Sequence, residues 1–197
     1  VDPGNPADVF RKVVQWVRAN PGVQIALDCS GGKKPMASGA AHAASFYVSM
    51  GGSDTGSGNE ASPWRTIQHA GDAMAPGDSV LVGAGAYDEI VRVATDGTGE
   101  SARLVIRSRV VRGAHVTGFV VTGDYVTIDG FDVEADATNW VGVVVNGGAH
   151  AEIRNCYVHE CPMGGISITR ADYAVVIANV LHHNGQSGIA LVASHGL

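Results

Sequence analysis

After Lys34 the chain contains no lysine, and its 13 lysines and arginines form no dense cluster against a net charge of −6. A surface that binds nucleic acid needs a basic patch to displace the counterions of the phosphates, so the charge argues against nucleic acid as the main partner. No apolar run approaches the roughly 20 residues of a membrane-spanning helix, and no secretory leader is visible. Aromatic residues are few, at 6%. Cysteine is scarce and odd in number: Cys29, Cys156 and Cys161 imply no disulfide framework. Cys156 and Cys161 are close enough in sequence to pair, but Cys156 falls in a column with Phe131 and Val180, which reads as a buried thiol.

Glycine is plentiful instead, with 27 residues in 197, and 45% of the chain is apolar. The stretch from Gly123 to Val192 reads as three copies of one unit. Ile128, Ile153 and Ile177 form one column, 25 and 24 residues apart. Gly142, Gly165 and Gly188 form a second at a spacing of 23, followed by Val143, Ile166 and Ile189 and by Val145, Ile168 and Leu191. Short alternating apolar runs at a fixed period, with glycine-rich turns and no helical pattern, predict a β solenoid whose stacked coils bury one apolar column. Asn155 and Asn179, with Gly130 above them, are read as corner residues that tolerate left-handed backbone.

Residues 1–44 do not share the repeat. Asn5-Pro6-Ala7-Asp8 opens a helix, Asn20-Pro21-Gly22 ends it, Val23 to Asp28 reads as a buried strand, and a second helical run follows Met36. Between strand and run stands Ser30-Gly31-Gly32-Lys33-Lys34. It is either a plain turn or a loop that presents backbone N–H groups to an anion. The wording of this stretch resembles the strand–loop–helix of the CRISPR-associated Rossmann-fold (CARF) sensors over about forty residues. That resemblance implies a cyclic-oligonucleotide site at Ser30, Gly31, Gly32 and Lys33. The further strands of a complete Rossmann unit are absent.

From Ser45 the character changes. Phe46 to Ser49 predicts a strand, residues 51–62 a polar loop, and Ser62-Pro63 the start of a helix running from about Trp64 to Met74. Pro76-Gly77-Asp78 is a turn, and Ser79 to Val82 begins the next strand. The Tyr-Val-Ser start, the Pro-Trp-Arg-Thr-Ile-Gln helix, the Pro-Gly-Asp turn and the Gly-Ala-Tyr corner resemble the entry segment of extracellular right-handed parallel β-helix proteins, among them pectate, alginate and chondroitin lyases. The expected architecture is therefore all-β, a right-handed parallel β-helix over 45–197 with an N-terminal capping helix, preceded by a short α/β segment over 1–44. The chain stops just after a strand, so truncation at the C-terminus, and at the N-terminus as well, is expected.

The resemblance implies β-elimination on a uronate glycan: a base removes the proton α to the carboxylate, and a cation, in these relatives calcium, neutralises that carboxylate. The usual lysine base is missing, which leaves Arg154, His159 and His183 as catalytic candidates. Glu134, Ser167 and Arg170 are the substrate-binding candidates, and Asp129, Asp132 and Glu134 the calcium set. Aligned outward columns read as Asp129–Arg154–Ala178, Glu134–His159–His183 and Val144–Ser167–Ala190. The second offers an acid and two bases one coil apart, or is an ordinary solvated face; the third is small enough to floor a groove. The expected partner is a polysaccharide, the location extracellular or cell-surface, and the state a monomer. A non-catalytic glycan-binding or adhesin-type module and a cyclic-oligonucleotide sensor fragment are the competing readings. In the resembled family the catalytic coils lie further along, so an active site beyond this chain is also expected.

Overall fold

The computed structural model describes residues 43–192; the Ser30–Lys34 loop lies outside them. The chain winds as a parallel β solenoid of about five turns with one short helix. One face stacks β1 (Ser45–Val48), β2 (Ser79–Val82), β4 (Leu104–Ser108), β6 (Val126–Asp129), β9 (Glu152–Arg154) and β12 (Val175–Ile177) in that order. The remainder of each early coil is one long bent strand, β3 (Gly85–Val93) and then β5 (Ala114–Val121). Later coils break the same path in two. β7 (Asp132–Glu134), β10 (Tyr157–His159) and β13 (Val180–His182) make a second face. β8 (Val141–Asn146), β11 (Gly164–Thr169) and β14 (Ser187–Val192) make a third. β5 serves both, pairing His115 with Asp132 and Phe119 with Val143.

Alternation explains the core. In β4, Leu104, Ile106 and Ser108 point inward while Val105 and Arg107 do not. Stacking places Ile106, Ile128 and Ile153 in register, all buried, and Phe119 and Phe131 fill the interior edge to face at 4.9 Å. The glycine column has a steric cause. A Cβ on Gly142 would stand 3.0 Å from the Gly165 carbonyl oxygen, and one on Gly165 2.7 Å from that of Gly188.

Left-handed residues stack at the corners as well: Gly130, Asn155 and Ala178 have φ of 78°, 56° and 57°. Asn179 bridges the coil before it, its Oδ1 accepting from Cys156 N (2.9 Å) and its Nδ2 donating to Ile153 O (2.8 Å). Asn184 repeats the device with Cys161 N and Val158 O, both at 3.1 Å. At another corner Tyr125, His150 and Tyr173 stack ring on ring at 4.4 and 4.9 Å.

Two expectations are corrected. The third repeat is shifted by one residue: Val176, not Ile177, pairs with Ile153, and His182, not His183, pairs with His159. Ile177 therefore replaces Ala178 opposite Arg154. The helix, α1, runs Ile67–Ala73 and is capped by Thr66 rather than Ser62. Trp64 is not helical because its backbone bridges β1, donating to Tyr47 O and accepting from Ser49 N, while its buried ring stacks on Phe46 at 4.7 Å.

Two carboxylates fasten this cap. Glu89 accepts from the backbones of Ile67 and Gln68 at 3.0 and 2.9 Å. Asp54 accepts from Arg65 N, Thr66 N and the Thr66 hydroxyl at 2.8, 2.9 and 2.9 Å. Desolvation raises the Asp54 pKa, but these bonds and nearby His69 outweigh it and hold the carboxyl below its ordinary 3.8. Its stabilisation is therefore complete above pH 3.8 and is lost as the pH falls through the lower folded value. Asp54→Ala is expected to cost roughly 0.5–2 kcal/mol at neutral pH, a difference that shrinks below pH 3.8 in paired melting curves.

Candidate functional site

The polar outer face of β5, β7, β10 and β13 is where acid–base side chains converge. Alternation turns Val133, Val158 and Leu181 toward the core, so Asp132, Glu134, Tyr157, His159 and His182 stand on the other side. Rungs are about 4.8 Å apart, which brings long side chains of successive coils into contact. The Asp132 carboxylate accepts from His159 Nε2 at 2.8 Å and faces His115 Nδ1 at 3.4 Å. His159 and His182, paired in register, stack at 5.3 Å with planes 7° apart. The Tyr157 ring lies 4.5 Å from His159 and 4.8 Å from His182, and its hydroxyl is hydrogen-bonded to His182 Nε2. Arg112, left-handed in the turn before β5 (φ 62°), carries its guanidinium 5.3 Å from the Tyr157 ring centroid. A cation, a phenol–imidazole pair and a carboxylate-held imidazole thus share one surface.

The sequence candidates are spread over three faces. His159 is in this cluster, and Glu134 is exposed beside it in register with it. His183 turns off the end of β13 with φ 51°, and its Nδ1 sits 2.9 Å from Glu160 Oε1. Ser167 is on the third face, between Val144 and Ala190 as the repeat predicts. Arg170, at the following corner, donates to Asn146 Oδ1 at 3.0 Å.

Arg154 lies on the first face in a ladder with Arg107 and Asp129. Asp129 Oδ2 is 2.9 Å from Arg107 Nε and 3.2 Å from Arg154 Nε, and Oδ1 accepts from Asn155 Nδ2 at 2.7 Å. The Arg154 contact has ion-pair distance without a well-directed hydrogen bond; Arg154 Nη1 bonds Glu152 Oε1 at 3.2 Å. Asp129, Asp132 and Glu134 do not fit a common calcium shell in these pairings. Asp129 is engaged by two guanidiniums on one face, and Asp132 by two imidazoles on another. Asp136, the fourth acid of that run, closes its own turn: its Oδ1 accepts from Thr138 N, Thr138 Oγ1 and Asn139 N, and these bonds hold its pKa below 3.8.

Sequence reasoning missed His115 and Tyr157, which share the column of Asp132, and Arg112, which stands in the turn before it. His182 was recoverable from the 23-residue glycine period. Cys156 and Cys161 sit under this face as free, buried thiols, donating to the carbonyls of Arg154 and His159 at 3.2 and 3.3 Å. Burial pushes the Cys156 thiol up to about 12 and raises that of Cys161. Both are expected to escape iodoacetamide in the folded protein and to be alkylated in denaturant, as peptide mass spectrometry can read; labelling of either in the native state would contradict these corners.

A family model described as the Pel9A-like right-handed β-helix region matches residues 46–190. The chain belongs to this family. A Bacillus subtilis (strain 168) relative of the Pel9A-like chain, the uncharacterized protein YwoF, is 28% identical over 131 residues, covering 57% of this chain and 28% of that protein. Among solved structures, pectate lyase Pel9A superposes with a TM-score of 0.57 at 21% identity, over 70% of this chain and 39% of that one. The GH136 lacto-N-biosidase of Eubacterium ramulus gives 0.63 at 16% identity, over 76% and 36%. The alginate lyase of Paenibacillus sp. str. FPU-7 gives 0.52 at 15%, over 75% and 50%. These likenesses establish the fold. The Pel9A-like chain spans half or less of the length of each of these relatives. Among the described residues no helix is long and apolar enough to cross a membrane.

Proposed function

We propose that the Pel9A-like chain belongs to an extracellular polysaccharide-processing protein that cleaves a uronate-containing glycan by β-elimination on the face built from β5, β7, β10 and β13. The observation that carries this reading is the Tyr157–His182 hydrogen bond beneath the Arg112 guanidinium. Abstraction of a proton α to a carboxylate needs a base and a cation, and lysine is absent from this part of the chain. Arg112 pairs with the uronate carboxylate and stabilises the charge that spreads into it. His182 draws the phenolic proton, so the Tyr157 oxygen takes the proton from C5. The C4–C5 double bond forms as the C4–O bond breaks, and His159, held by Asp132, supplies the proton to the departing oxygen. Glu134 borders the surface on its exposed side. Successive sugars run along the stacked rungs.

The test is ultraviolet absorbance of unsaturated product on pectate, alginate and chondroitin, with neutral glycans as controls. Product from a polyuronate is expected. No product and no retention on any polyuronate would overturn the reading. Retention without product selects the second reading, a glycan-binding module.

A further inference from the structure

We propose that Glu160, His182 and His183 form a binding site for a transition-metal dication of the zinc class, at the corner where the second face turns into the third. One donor atom from each lies within 4.8 Å of the others, the one such trio of histidine, cysteine or acidic side chains among the described residues. The backbone explains how two adjacent histidines come to share a site. In an extended strand they would point to opposite sides. His183 instead takes φ 51°, and its ring meets that of His182 at 4.6 Å and 81°. Glu160 is left-handed too, at φ 53°, one rung before, and its Oε1 already faces His183 Nδ1 at 2.9 Å. Left-handed residues recur at the corners of this solenoid, and at Glu160 and His183 that backbone aims two of the three donors at one point.

The donor set selects the ion. Two imidazoles and a carboxylate suit zinc and its neighbours, whereas calcium and magnesium take oxygen shells. Tetrahedral zinc with bonds of about 2.0–2.1 Å needs donors roughly 3.3 Å apart. Glu160 and His183, with side chains 53% and 74% exposed, are free to turn inward by that amount. The Tyr157 hydroxyl fixes the His182 ring from its Nε2 side, the kind of outer contact that orients a metal ligand. Three protein donors leave a fourth position for water or a sugar hydroxyl. His182 is shared with the proposed elimination, and a metal on its Nδ1 leaves its Nε2 as an N–H donor to the Tyr157 oxygen, so a loaded site holds that proton transfer off. Glu160 and His183 take no part in the elimination, so substitutions there test the metal site alone.

The experiment is calorimetric titration of the chelator-stripped protein with Zn²⁺, repeated with Ca²⁺, and with Co²⁺ read by its visible absorption. One zinc per chain at this corner is expected, with 100-fold excess calcium failing to compete. Glu160→Gln and His183→Gly are each expected to weaken zinc binding at least 10-fold; glycine accepts the left-handed backbone, so the fold survives the test, as melting curves verify. No zinc binding, or zinc binding that both variants leave unchanged, would overturn the site.

Discussion

Tyr157→Phe is expected to lower turnover of a uronate glycan by about 10²–10⁴-fold, the usual contribution of a positioned proton-transfer group. The substitution deletes one oxygen and keeps the ring, so contacts with His159, His182 and Arg112 persist. Its melting temperature is expected to stay close to that of the parent. His182→Ala should produce a similar loss, and the double variant little more, because two groups that pass one proton act as a unit. Arg112→Ala should raise KM as well as lower kcat, since the guanidinium meets the carboxylate in both ground and transition states. Steady-state rates by product absorbance, alongside melting curves, separate these effects from unfolding.

Asp129→Ala is expected to lower the unfolding free energy by about 3 kcal/mol, the low end of the range for removing one partner of a buried ion pair. The side chain is 9% exposed and faces two guanidiniums. Those are 33% and 27% exposed and can partly return to water, which places the cost at that low end. A change of this size corresponds to a fall in melting temperature of roughly 6–12 °C. The zinc-free parent protein should melt at the same temperature with calcium and with chelator, because Asp129 is paired with two guanidiniums. A chelator-induced drop matching that of Asp129→Ala would assign the carboxylate to calcium instead.

Much of the fold was legible because a solenoid repeats its constraints. Ile128 and Ile153 are held in register by burial, Gly142 and Gly165 by close approach of the next coil, and Val144–Ser167–Ala190 follow from the alternation of the same strands. Matching isoleucine to isoleucine displaces the third coil by one residue. Counting 23 residues from Ile153, as the glycines do, reaches Val176 and then aligns His182 with His159. The helix start was misplaced because Ser62-Pro63 carries a local signal that the long-range bridge of Trp64 to β1 overrides.

The site was legible only within columns. Glu134 and His159 share one, and were found together. Some contacts that build the cluster run along columns, from His115 to Asp132 and from His159 to His182, but others run diagonally, from Asp132 to His159 and from Tyr157 to His182, or come from a corner, as Arg112 does. Such contacts depend on side-chain reach across rungs, which periodicity does not encode. Arg154 illustrates the converse. Its column was right as far as Asp129, but that column belongs to another face and is closed by its own ion pairs.

The most direct measurement is hydroxyl-radical footprinting of the protein with and without an oligouronate. If the face of β5, β7, β10 and β13 contacts glycan, oxidation of Tyr157, His159 and His182 falls on adding sugar, while exposed Tyr173 and Met50 are unchanged. Protection confined to the first or third face, or none at saturating sugar, would contradict the assignment of this surface.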